Sequence, residues 1–202
     1  MTLRQRLSSF RSPVAVFPVV TVALLLAFHA LGAGAVPALR YERGAVLAGE
    51  VWRLVTGHLV HADLTHLGWN LLGLLIVALL FARDYAAWQW LVVLLASTAA
   101  TDLGFLLLEP QLEWYVGFSG VLHGLMAAGL VAWLRASRDA VTWIVTALFA
   151  AKLAWEHVAG PLPFTAGSLP MPVVHAAHSY GAIGGLLAGL ALTRRARRPA
   201  SL

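Results

Sequence analysis

Four polar side chains fall into two pairs of equal spacing in an otherwise apolar chain. Ser119 and His123 stand four apart in "GFSGVLHGL" (117–125), and His66 and Asn70 repeat the spacing upstream. His175 and His178 open a later apolar run, and Asp102, Lys152 and Glu156 are further ionisable groups inside apolar stretches. On a helix, residues four apart share a face. The chemistry open to such a set is acyl transfer: a serine hydroxyl is a weak nucleophile until a base takes its proton, and a histidine that titrates near neutrality suits that task. An attacked amide also develops an oxyanion, which must be met by donors already in place.

The elements that carry these residues are apolar runs long enough to cross a bilayer, which takes about 20 residues. The 202-residue sequence is 60% hydrophobic and 11% charged, against the roughly 25% charged residues of ordinary soluble domains. Six spans are read, over 14–34, 64–81, 87–108, 118–134, 140–158 and 173–192. The expected fold is therefore an all-α polytopic membrane bundle of six transmembrane helices, a single domain over 1–202, with short basic ends at 1–13 and 193–202. A long outer loop, 35–63, joins the first two spans, and a shorter Gly/Pro-rich loop covers 160–172. The start "MTLRQRLSSFRSP" and its apolar run are read as the first span, because the run exceeds a signal-peptide core.

Basic residues fix the expected orientation, since cytoplasmic loops near span ends hold an excess of Lys and Arg. Arg4, Arg6, Arg11, Arg83, Arg135, Arg138, Arg194, Arg195, Arg197 and Arg198 fall on one side, leaving Arg40, Arg43, Arg53 and Lys152 elsewhere. Both termini are expected to be cytoplasmic. The net charge of +5 then reflects contact with anionic lipid headgroups, not nucleic acid, because the arginines flank spans. No cysteine is present, so thiol catalysis and disulfides within this sequence are excluded.

Taken singly, each polar residue has an ordinary explanation. Lys152 and Glu156 read as an i,i+4 structural pair or snorkelling residues near the outer end of their helix. Asp102 reads as an interhelical hydrogen-bond partner or a residue facing water, Ser119 as small-residue packing, and His178 as a satisfied interior histidine. Glycine spacing changes the balance. Gly181, Gly185 and Gly189 recur every four residues, and Gly120 and Gly124 repeat that spacing, giving bare stripes along which helices approach closely. If the stripes face each other, Ser119 and His178 come within reach as nucleophile and general base. His66, Asn70 and the Ser119 N–H, unpaired at a helix start, are then candidate oxyanion donors. No carboxylate is positioned by sequence as a third member, so a Ser–His dyad is expected.

The segments "WRLVTGHLVHADLTHLGWN" (52–70), "GFSGVLHG" (117–124) and "AHSYGAIGG" (177–185) together resemble the rhomboid intramembrane serine proteases, in order and over nearly the whole chain. The resemblance implies Ser119 of the G-x-S-G motif as nucleophile and His178 of A-H-x-x-G as base. It implies His66 and Asn70 as oxyanion-hole residues in a histidine–asparagine pattern begun by His61, and Trp52 and Arg53 as a structural W-R pair. Gly117, Gly120 and Gly181 support the same motifs. Compact size and "GFSGVLHG" look like the rhombosortase branch, which implies cleavage near the Gly-Gly of a C-terminal helix and basic tail on secreted bacterial proteins. An aromatic residue that packs on the catalytic histidine in many relatives is His123 here, leaving stacking, hydrogen bonding or tuning of His178 as its possible roles.

The resemblance implies a multi-pass protein of the bacterial inner membrane with its active site toward the periplasm, whose partners are lipid and the transmembrane or C-terminal helix of a protein substrate. No cofactor, no metal and no nucleic acid is expected. A metal site from His58, His61, His66, His175 and His178 is disfavoured, because no H-E-x-x-H is present and closely placed carboxylates are missing. Haem binding or transport explains neither Ser119 nor the glycine stripes. General rhomboid proteolysis of unrelated membrane substrates and non-catalytic helix binding remain as alternatives.

Overall fold

The computed structural model describes residues 16–163, 167 and 171–193. The basic ends, with Arg4, Arg6, Arg11, Arg194, Arg195, Arg197 and Arg198, lie outside the described residues, as do residues 14–15 of the first expected span and parts of the 160–172 loop.

Each of the six apolar runs contains one long helix: α1 (Val16–Ala30), α2 (Leu64–Phe81), α3 (Ala87–Leu108), α4 (Ser119–Ala136), α5 (Ala140–Ala159) and α6 (Ala176–Leu192). Side-chain caps set two of the starts. Asp63 accepts the His66 N–H at 2.7 Å at the head of α2, and Asp139 accepts the Thr142 N–H at 2.8 Å at the head of α5, each satisfying a donor that has no partner within its helix.

By length and composition α2, α3 and α4 are each able to cross a membrane, and α1 joins them if its continuation Ala33–Leu39, bent by 90°, counts as the same span. The expectation of six spans is thus met in part, by three or four helices. The shortfall has a physical origin: α6 is apolar but only 17 residues long, and α5 carries Lys152, Glu156 and His157. Outward faces are apolar, with Val19, Leu91, Val141, Leu148, Val158 and Leu187 each more than half exposed, the surface that a bilayer would cover.

The segment expected as a long loop between α1 and α2 is largely ordered into short helices, Val36–Leu39, Arg43–Leu47 and Arg53–Thr56. It also contributes β1 (Tyr41–Glu42), which pairs antiparallel with β2 (Trp114–Tyr115) just before α4. Arg53 holds this segment together. Its guanidinium, 8% exposed, donates to the carbonyls of Pro37 at 2.8 Å and Arg40 at 2.9 Å and to the Glu50 carboxylate at 2.6 Å. Trp52 is half exposed, and its indole N–H approaches the Ala38 carbonyl at 3.4 Å. Asp102 of α3 accepts from His58 Nε2 at 3.1 Å with both side chains buried, so it is the hydrogen-bond partner of a loop residue.

The glycine stripes do face each other. A Cβ on Gly181 would collide with the Gly120 carbonyl, and one on Gly185 with the Gly124 carbonyl. A Cβ on Gly120 would stand 3.0 Å from the Ala177 carbonyl. Helices α4 and α6 therefore touch backbone to backbone, an approach only glycine permits. Beside this seam, Leu67, Leu74, Phe81, Trp90, Val121 and Leu125 fill the core between α2, α3 and α4.

Candidate active site

Ser119 is the first residue of α4 and His178 the third of α6, so the close α4–α6 seam brings both to one level. The Ser119 Oγ lies 3.0 Å from His178 Nε2. The sequence reading made this pairing conditional on facing stripes, and the stripes supply the distance.

The segment leading into Ser119 is pinned from several directions. Gly117 has φ +115°, a region L side chains rarely adopt, and its N–H donates to the Gly57 carbonyl at 3.0 Å. A Cβ there would also stand 2.5 Å from Cε1 and 2.6 Å from Nε2 of His66, so this glycine admits the His66 ring to the helix start. Tyr115 donates its hydroxyl to the Gly117 carbonyl at 2.6 Å, and burial pushes that phenol up to about 12. In the preceding loop, His61 packs edge-on against the His66 ring at 5.0 Å. Burial first, and the neighbouring His66 second, pull the His61 imidazole down to about 3.

His66 and Asn70 are buried on one face of α2, and Asn70 donates an amide hydrogen to the His66 carbonyl at 3.0 Å. Both line the same cavity as Ser119 and His178, of about 260 Å³, walled chiefly by apolar residues of α2, α4 and α5 such as Trp69, Leu122, Met126 and Phe149. A mostly apolar cavity into which a few polar groups converge is the usual form of a binding site.

His123 stacks on His178, with ring centroids 4.0 Å apart and planes 15° from parallel, and also stacks with Phe149 at 5.9 Å. Its Nδ1–H donates to the Ser119 carbonyl at 2.7 Å, which fixes the ring one helical turn below the serine. Of the roles open to it, the structure shows stacking.

The sequence reading departs most from the structure at Glu156. In that reading a Ser–His dyad is expected because spacing positions no carboxylate as a third member, and Lys152/Glu156 is read as a structural or snorkelling pair. The pair exists, at 2.6 Å, but the Glu156 side chain is 2% exposed and its Oε2 accepts from His178 Nδ1 at 2.9 Å. Spacing along α5 placed Glu156 beside Lys152 and held no information that α5 would pack against the head of α6.

Among the described residues, His123, Glu156 and His178 bring three possible metal-ligand atoms within 4.8 Å of one another. Their arrangement fits a metal poorly. In-plane lone pairs of two face-to-face imidazoles run parallel instead of converging, and the Lys152 ammonium already occupies the carboxylate. Serine, imidazole and carboxylate in a row suit proton transfer instead.

Comparison with known proteins gives the family. The rhomboid domain family matches residues 48–195. The chain is 33% identical over 135 residues to the Bacillus subtilis (strain 168) protein YdcA, whose name places it among rhomboid proteases; the match covers 62% of this chain and 67% of that one. It is 28% identical over 163 residues to the rhomboid protease GlpG of Enterobacter sp. (strain 638), covering 80% of this chain and 55% of GlpG.

Proposed function

This chain belongs to the rhomboid family of serine proteases, and from that premise we propose that it is an intramembrane endopeptidase in which Ser119 is the nucleophile and His178 its general base. The observation that carries this reading is the 3.0 Å approach of Ser119 Oγ to His178 Nε2 at the wall of an apolar cavity. His178 Nε2 takes the hydroxyl proton as Oγ bonds to the scissile carbonyl carbon. The carbonyl oxygen becomes an oxyanion, held by the Ser119 N–H at the head of α4 and by His66 and Asn70. Collapse breaks the C–N bond, and the imidazolium gives its proton to the departing amine. Water, deprotonated in turn by His178, then hydrolyses the acyl-enzyme and restores the serine.

The substrate is a transmembrane or C-terminal anchor helix reached from lipid, and the Gly-Gly-type tail of secreted bacterial proteins is the finer reading. Gly-Gly lowers the cost of unwinding a helix so that one amide can enter the cavity. In this reading the chain is one domain of six spans in the bacterial inner membrane, with both ends cytoplasmic and Ser119 toward the periplasm, the side away from Arg83, Arg135 and Arg138. General proteolysis of unrelated membrane helices is the alternative substrate reading. Non-catalytic helix binding is disfavoured by the Ser119–His178 distance.

A fluorophosphonate serine probe tests the assignment. Wild-type protein in detergent is expected to label, and Ser119→Ala and His178→Ala to lose labelling; unchanged labelling of Ser119→Ala refutes the nucleophile. Co-expression with a reporter carrying a Gly-Gly helix tail, beside one whose helix lacks Gly-Gly, tests the finer claim, and equal cleavage of both sinks it.

A further inference from the structure

We propose that Glu156 is the third member of the catalytic row, a positioning residue that holds His178 in its base-competent tautomer, with Lys152 as the counter-charge that makes a buried carboxylate tolerable. The proposal rests on the assignment of Ser119 and His178 above.

Helix α5 is a peculiar carrier for such a group. Val141, Ile144, Leu148, Trp155 and Val158 all face outward, and the residues it buries are Thr142 and Glu156. Val145 and Phe149 pack this helix against the core, and Glu156 is a carboxylate buried on the same helix. Burying an ionised carboxylate is strongly unfavourable unless partners meet it, and an ionisable group inside a membrane bundle marks function by default. Two donors meet this one. Lys152 Nζ and His178 Nδ1 both reach Oε2, at 2.6 and 2.9 Å.

Tautomer choice follows from the donor count. A carboxylate only accepts, so the bond from His178 requires the proton on Nδ1, which leaves Nε2 with its lone pair toward the Ser119 hydroxyl. Lys152 also lies 3.5 Å from Nδ1. Without Glu156, its ammonium is free to donate to Nδ1, which moves the ring proton to Nε2 and blocks the base. During acylation the serine proton passes to Nε2, and Glu156 faces the resulting imidazolium without itself taking a proton. The same ring gives that proton to the departing amine, so the carboxylate begins and ends each half-reaction ionised. Among the described residues, His123 lies on the ring face of the imidazole, and Ser119, Lys152 and Glu156 reach its nitrogens.

The test measures fluorophosphonate labelling rate, and kcat and KM on a detergent-solubilised transmembrane reporter, for Glu156→Gln, Glu156→Asp, Lys152→Met and the Lys152→Met/Glu156→Gln double variant. Losing the acidic member of a serine–histidine–aspartate triad costs about 10⁴-fold in kcat where it has been measured, so a fall of roughly 10²- to 10⁴-fold is expected for Glu156→Gln, with KM unchanged. Glu156→Asp is expected to recover much of that rate. Removing Lys152 in the Gln background is expected to raise the rate over Glu156→Gln alone, because the competing donor is gone. Labelling and kcat within about twofold of wild type in Glu156→Gln overturn the proposal. So does a loss shared equally by Asp and Gln, unrelieved by Lys152→Met and accompanied by a lower melting temperature, which is the signature of a structural pair. If Glu156→Gln does not fold, the Lys152→Met/Glu156→Gln double variant, which removes both buried charges, decides: a kcat at least about tenfold below wild type is expected, and one within about twofold of wild type overturns the proposal. Persistent labelling of Ser119→Ala is a separate result, which removes the parent assignment instead.

Discussion

Substituting Gly124 by alanine overpacks α4 against both α3 and α6 at a position that itself takes no part in the chemistry. The added Cβ would stand 2.6 Å from the Gly181 carbonyl, about 0.8 Å short of ordinary van der Waals contact at 3.4 Å, and would collide with the Ser97 hydroxyl of α3 as well. Backbone cannot rotate away as a side chain can, so α6 must move outward from α4. Carried to the His178 turn, a shift of that size opens the 3.0 Å gap to Ser119 to about 3.8 Å, past hydrogen-bond range. Overpacking of this kind costs about 1–3 kcal/mol of stability. Displacement of reacting groups by about 1 Å costs on the order of 10²-fold in rate. The assay is the fluorophosphonate labelling rate, read beside a melting temperature in the same detergent. Gly68→Ala serves as control, since nothing lies within 4 Å of a Cβ there and a helix-interior glycine gains up to about 1 kcal/mol on becoming alanine. Wild-type labelling by Gly124→Ala with an unchanged melting temperature would refute the claim that close backbone contact sets the Ser119–His178 distance.

Three further outcomes are expected. Arg53→Ala strips the carbonyls of Pro37 and Arg40 and the Glu50 carboxylate of their donor, so it should lower stability by roughly 2–4 kcal/mol, measurable as a fall in melting temperature. His123→Phe keeps a ring stacked on His178 and should retain labelling within about tenfold, whereas His123→Ala should lose more; equal rates for the two would show that the ring contact is idle. His61, held down at about 3 against an unfolded value of 6.5, stabilises the fold fully above pH 6.5. That contribution is lost as pH falls from 6.5 toward 3, because the unfolded chain takes up a proton that the fold refuses, at about 1.4 kcal/mol per unit. Melting temperatures at pH 7 and pH 5 should therefore diverge less in His61→Phe than in the wild type, and an unchanged gap would refute the assignment.

What was legible in the sequence is what a single helix encodes. Apolar runs located all six long helices, the G-x-x-x-G spacing marked the faces that meet, and Ser119 and His178 followed because each stands at the head of its helix. Spacing also suggested His123 as the partner of Ser119, yet its ring lies along the same helix face and contacts the serine only through a carbonyl. Glu156 escaped for the opposite reason: its meaning depends on which helix α5 packs against, and an i,i+4 charge pair looks the same whether it faces lipid or an imidazole. The structural role of Arg53 came from resemblance, since two of its acceptors are backbone carbonyls that no residue type announces. Six spans were expected from apolar length; α2, α3 and α4, with α1 if its bent continuation is counted, have the length and composition to cross, while α6 is 17 residues long and α5 carries Lys152, Glu156 and His157.

The β1–β2 pair is only two residues long on each side, yet it closes a circuit. It ties the segment before α2 to the strand that feeds Ser119, while Arg53 reaches back to carbonyls at positions 37 and 40, upstream of the family-matched stretch that begins at residue 48. A fragment cut at that boundary would keep every residue assigned here to proton transfer and lose the clasp that holds the nucleophile's approach in shape. The clasp draws on residues from Pro37 onward, so a piece that keeps it starts well ahead of the family-matched stretch.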